Sequence, residues 1–133
     1  MYTELHYNAE LKHGPPPEVL RVLEHMIGEG TFETFFGDLP DHDLFTSPRW
    51  DTMLRGESES FAADTHSTLR LDEVSDTYLL CIRSNFKQTA SEIARFIAWL
   101  GPYVDASTGD FLGFYRDDDS EVPTLILQPA PAA

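Results

Sequence analysis

Cysteine is all but missing from this chain of 133 residues, and the single one, Cys81, forbids both an internal disulfide and any CxxC metal knuckle. Cations are scarce too. With 9 Lys and Arg against 23 Asp and Glu the formal net charge is −14, a field that repels a phosphate backbone, whose binding requires clustered cations to release counterions. No direct nucleic-acid binding is expected, anionic lipid is repelled in the same way, and encounter with a basic protein is accelerated. No run approaches the roughly 20 apolar residues needed to span a bilayer. Met1-Tyr2-Thr3-Glu4 has neither a basic leader nor an apolar secretory core, so the expected location is cytoplasmic, with no membrane partner.

Catalytic and cofactor motifs are lacking as well. The chain contains no GxSxG elbow, no HxH, HxxxH or HExxH spacing, and no phosphate-loop or dinucleotide fingerprint. Gly109-Asp110-Phe111-Leu112-Gly113 has the wrong glycine spacing and no following helix to cradle a phosphate. Asp117-Asp118-Asp119-Ser120-Glu121 is acidic but lacks the alternating ligands and central glycine of a calcium loop, and reads as a hairpin turn. No catalytic residue, cofactor or metal is therefore assigned.

What is present is enough apolar material for one core: 41% hydrophobic and 12% aromatic residues. A single domain over residues 1–133 is expected, with a frayed Pro/Ala tail at 128–133. Residues 4–12 alternate, Leu5, Tyr7, Ala9 and Leu11 on one parity and His6, Asn8, Glu10 and Lys12 on the other, as a half-buried strand does. Pro15-Pro16-Pro17 opens a helix whose stripe is Val19, Val22, Leu23, Met26 and Ile27, and Gly28 stops it. Ser67–Leu71 and Tyr78–Phe86 form a hairpin across a polar turn. Thr89 and Glu92 are a capping pair for a second helix carrying Ile93, Phe96, Ile97 and Leu100, closed by Gly101-Pro102. Two further strands, Phe111–Arg116 and Pro123–Gln128, flank the acidic turn.

This order predicts an α+β fold: a ferredoxin-like split βαβ antiparallel sheet, two helices on one face, and an extra C-terminal edge strand. The segment at about 29–60 is a long aromatic-rich insertion, with Phe32, Phe35, Phe36, Leu44, Phe45, Trp50, Met53 and Leu54. It is too long for a bare loop and has to dock on something. Ser47-Pro48 is expected to start one short helix in it. Within it, Asp41-His42-Asp43 reads as an Asx-type turn rather than a metal site, since adjacent residues cannot converge on one ion unaided.

Strand parity supplies the one candidate site. If Leu69, Leu71, Leu80 and Ile82 face the helices, then Asp64, His66, Thr68, Arg70, Leu79, Cys81 and Arg83 face the other way, joined by His6, Asn8 and Glu10. Asp64, His66, Arg70 and Arg83 are the ligand-binding candidates, because arginine pairs bidentately with carboxylate or phosphate. The competing reading is a solvated face whose charges neutralise one another. Cys81 itself is expected to be a small buried hydrophobe. Trp99 falls on the polar side of the second helix, between Glu92 and Arg95, so either the insertion or another subunit must cover it; Trp50 and Trp99 are the interface candidates.

THSTLR (Thr65–Arg70), RSNFK (Arg83–Lys87), GDFLGFYR (Gly109–Arg116) and PTLI (Pro123–Ile126) resemble segments of small bacterial proteins of uncharacterised function. The resemblance implies a bacterial cytosolic source and transfers no catalytic residue. The functional expectation is a non-enzymatic acidic protein-interaction module whose partner is another protein or a second copy of itself, as a homodimer. Its rivals are a small anionic-ligand binder or hydrolase on the polar sheet face, and an acidic mimic of nucleic acid that inhibits a basic enzyme.

Overall fold

The computed structural model describes residues 2–28, 39–47, 50–56, 65–87 and 92–131. Its elements are β1 (Tyr2–Glu10), α1 (Pro17–Ile27), β2 (Thr68–Asp72), β3 (Thr77–Lys87), α2 (Glu92–Leu100), β4 (Phe111–Asp117) and β5 (Thr124–Leu127). The strands form one antiparallel sheet in the order β2-β3-β1-β4-β5. The chain is thus an α+β protein with a five-stranded antiparallel sheet and two α-helices.

Each element has a local cause. β1 buries Thr3, Leu5, Tyr7 and Ala9 and leaves the alternate residues more exposed, as its period-two pattern requires. It starts earlier than residue 4 because the acidic turn after β4 holds it there. Asp118 N–H donates to the Tyr2 carbonyl at 2.9 Å, and Thr3 Oγ1 donates to Asp117 Oδ1 at 2.8 Å. α1 begins at the prolines, which cost nothing where the helix has no donor to lose, and ends at Gly28 in the left-handed region (φ +89°). α2 buries Ile93, Phe96, Trp99 and Leu100; past Leu100 the chain tightens into a 3₁₀ turn over Gly101–Tyr103. Thr89, the expected cap partner of Glu92, lies outside the described residues.

A single hydrophobic core unites the stripes of α1 and α2 with Leu5, Tyr7, Leu80 and Ile82 of the sheet. The Tyr7 and Phe96 rings meet edge to face at 5.8 Å. At about 1.5–3 kcal/mol for each large side chain withdrawn from water, this core is the main stabilising term.

The described parts of the insertion belong to the same side. Leu44, Met53 and Leu54 are fully buried in the core. Ser84, on the inward face of β3, donates its hydroxyl to the Met53 carbonyl, Arg95 of α2 donates to Ser47 Oγ, and Arg55 donates to the His25 carbonyl at the end of α1. In place of the expected helix from Ser47 there are two short 3₁₀ turns, Asp43–Thr46 and Trp50–Thr52. Pro48 and Arg49, like Phe32, Phe35 and Phe36, lie outside the described residues. Trp99 is 5% exposed because Phe45 of the first turn packs against it edge-on at 5.5 Å. Trp50 also meets Phe45, at 4.9 Å, so both tryptophans sit in an aromatic cluster of the chain's own making.

Two expectations need correction. Gln128 is not part of a loose tail: it is 8% exposed, its amide donates to the Gly101 carbonyl at 3.0 Å, and its main chain is bonded to Gly109 and Asp110. The ladder thus continues one residue past β5. Cys81 is half-buried rather than buried, because its parity turns it away from the core.

Candidate functional site

The sheet's second face is the one carrying Glu4, His6, Asn8 and Glu10 of β1, outside the core. Register identifies their neighbours. His6 lies opposite Arg83 of β3 on one side and Phe114 of β4 on the other, and Phe114 lies opposite Leu125 of β5. Beyond Arg83, His66 and Arg83 exchange both main-chain hydrogen bonds, at 2.8 and 3.2 Å. Residues directly opposite in an antiparallel ladder share a face. A single row therefore crosses the sheet: His66, Arg83, His6, Phe114, Leu125. To one side lies the row Asn85, Glu4, Arg116; to the other lie Thr68, Cys81, Asn8, and then Arg70, Leu79, Glu10.

Of the four residues expected to form a ligand site, the register brings His66 and Arg83 side by side. Arg70 is on the same face but two same-face positions away, about 13 Å at strand rise, so it joins another row. Asp64 lies outside the described residues. Arg70, Arg83 and His66 are all exposed.

The paired charges on this face join His6, already placed there by strand parity, to Glu4 and Arg116, which parity alone did not single out. Glu4 Oε1 lies 2.5 Å from His6 Nε2, and Glu4 Oε2 accepts from Arg116 Nη2 at 3.3 Å. Arg116 Nη1 donates in turn to the Ser120 carbonyl at 2.8 Å, while the His6 ring stacks on Phe114 with centroids 4.6 Å apart and planes 14° off parallel. One carboxylate thus holds a guanidinium and an imidazole in fixed orientation, and an aromatic plate supports the imidazole. Glu4 shares the parity of His6, a signal available in the sequence. Phe114 and Arg116 had none, because β4 is apolar on both parities and its register shifts at a bulge between Phe111 and Gly113.

The same face exposes large apolar side chains. Leu79 is 44% exposed, Phe111 62%, Leu125 59% and Leu127 48%. Phe111 lies opposite Leu127, so these two join Phe114 and Leu125 in a patch over β4 and β5. A concave space of about 470 Å³ lies elsewhere, at the end of α2, where Lys12, Gly101, Val104, Gln128 and Pro129 line it.

The Asp41-His42-Asp43 motif is a cap. His42 Nδ1 accepts the Leu44 N–H at 3.0 Å, so the imidazole rather than an aspartate closes the turn. Among the described residues no group of three His, Cys, Asp or Glu side chains gathers as metal ligands would, and no helix is long and apolar enough to cross a membrane. Compared with known proteins, the chain matches no family model, and neither the curated proteins nor the solved structures offer a significant relative.

Proposed function

We propose that the chain is a non-enzymatic acidic protein-interaction module of the bacterial cytoplasm, working through the open face of its sheet. The observation that carries this reading is the composition of that face. It presents Arg70, Arg83 and His66 beside Leu79, Phe111, Leu125 and Leu127, all exposed, whereas the described insertion is committed to the core side. Arginine and large apolar groups are what protein interfaces concentrate, and a chain at −14 steers a basic partner toward contact. The architecture fits a supporting role. The order β2-β3-β1-β4, with a helix after β1 and another after β3, supports a ferredoxin-like split βαβ reading of one domain, and β5 supports an added edge strand. In such an arrangement one sheet face is free to recognise a partner.

The test is capture from a bacterial lysate on the immobilised chain, at low and high salt, with wild type and the variant Leu79→Glu, Arg83→Glu. Both substitutions fall on exposed positions, so folding is preserved. Capture of a basic protein, released by salt and lost in the variant, is the expected result. Equal capture by variant and wild type, or none at low salt, overturns the reading.

One observation favours a second reading, binding of a small anion: Arg83 stands between His66 and His6 in one row. A rise in melting temperature with inorganic phosphate or citrate that Arg83→Ala abolishes is its signature. Equal shifts in both proteins reject it.

A further inference from the structure

We propose that β5 is a self-docking edge, through which two copies of the chain pair β5 to β5, antiparallel about Ile126, and merge their sheets. The proposal goes beyond the interaction reading above and adds a partner of a different kind, a second copy of the chain.

Among the described residues β5 closes the sheet and pairs only with β4. Just past it, Gln128 donates its N–H to the Asp110 carbonyl at 2.8 Å and accepts the Gly109 N–H at 2.9 Å, so both of its main-chain groups point toward β4. Main-chain direction alternates along an antiparallel strand. Ile126 and Thr124 therefore also point inward, while Leu125 and Leu127 present N–H and C=O to the outside. By the same alternation Pro123 and Pro129 take outward positions, and proline has no N–H to offer. The edge is thus a short template with two donors, closed by proline at each end.

That template is complementary to itself. Set antiparallel with Leu125 opposite Leu127 of the second copy, every outward leucine N–H meets a leucine carbonyl. A slip of two residues would set proline against a carbonyl and leave that carbonyl without a donor. A slip of one would turn the side chains to the wrong face. The side chains agree with this register. Leu125 and Leu127, 59% and 48% exposed, would cover each other across the two-fold axis and join the Phe111 and Phe114 rows of the two copies into one apolar strip.

Charge selects a second copy over a basic partner. From Val122 to Ala133 the sequence has no charged residue, in a chain whose net charge is −14. Two like-charged copies can touch here without bringing carboxylate to carboxylate, whereas a basic partner gains nothing from a neutral edge. The opposite edge, β2, carries Arg70 and Asp72, the kind of charge that usually guards an edge strand; β5 has no such guard.

Sedimentation equilibrium over a concentration series tests the idea, at low and high salt, together with amide hydrogen exchange. Wild type should be a dimer that tightens with salt, because screening relieves repulsion between copies. The Leu125 and Leu127 amides should be protected in the dimer and exchange freely on dilution. The variant Leu125→Lys, Leu127→Lys should be monomeric with an unchanged circular dichroism spectrum. A wild-type monomer at all concentrations and salts, a dimer that survives the lysines, or fast exchange of both amides within the dimer overturns the proposal. Salt weakens capture of a basic partner but strengthens this pairing, so failure of one leaves the other standing.

Discussion

Ser84 and Met53, 31 residues apart in the chain, are joined by a 2.6 Å hydrogen bond from the Ser84 hydroxyl to the Met53 carbonyl. Both groups are buried, and Ser84 sits beside Leu5 in the sheet, so this bond fixes where the insertion meets the core side of β3. Ser84→Ala leaves the carbonyl without a donor and should cost about 1–3 kcal/mol in urea unfolding. A loss below about 0.5 kcal/mol, the range of ordinary surface substitutions, would mean that the insertion is held by its apolar contacts alone.

At Gly113 the main chain of β4 lies too close to that of β1 to leave room for a side chain. Its φ is +157°, and a Cβ there would stand 1.9 Å from the His6 carbonyl oxygen, a main-chain atom that cannot turn aside. Gly113→Ala should cost about 3–4 kcal/mol and loosen the His6–Phe114 stack, seen as a shift of the His6 ring resonances. Gly109→Ala is the control. Its φ is +90° with no atom within 4 Å of the added methyl, so only the backbone term of about 1–2 kcal/mol applies. Equal losses at the two glycines would refute the clash.

Phe45 shields Trp99 and touches Trp50, in both cases edge-on. Truncation to alanine at this half-buried position should cost about 2 kcal/mol, below the range for a fully buried phenylalanine. Trp99 emission should move to longer wavelength as water reaches the indole, measured with Trp50 replaced by Phe. Unchanged emission would show that α2 shields Trp99 without help.

His25 titrates below the ordinary histidine range, chiefly because burial disfavours its charged form, then because Arg55 repels it; Asp51 pulls the other way. Arg55→Gln should raise the His25 pKa and Asp51→Asn should lower it, read from its imidazole resonances. The unfolded chain takes up this proton more readily than the folded one. The contribution to stability is therefore complete above pH 6.5, the ordinary histidine value, and is lost as the pH falls below it. Stability rising on acidification through that window would contradict the assignment.

The fold was legible wherever a period repeats within a few residues. Leu5, Tyr7 and Ala9 announce β1, the Val19–Ile27 stripe announces α1, and Gly28 its end. The pairing of Leu69 and Leu80 on one face, with His66 and Arg83 together on the other, followed from the same alternation. What stayed hidden depends on distant residues. The row from His66 to Leu125 exists only once β1 is threaded between β3 and β4, and the Glu4–Arg116 pair of the row beside it spans 112 residues. The insertion was illegible for a related reason: its turns are 3₁₀, short and without a period, and their place is decided by Ser84, Arg95 and Trp99 on other elements. His42 escaped because an imidazole capped a turn in which the neighbouring aspartates were the expected acceptors.

β1 lies between β3 and β4 although it comes first in the chain, and its pairing extends to Lys87 on one side and Asp117 on the other. As a ribosome delivers the chain, this strand leaves the exit tunnel with neither neighbour yet translated; one of its edges stays open until β3 emerges and the other until β4 does. Such contact order makes folding slow, and makes β1 the segment through which a nascent chain would aggregate or recruit a chaperone.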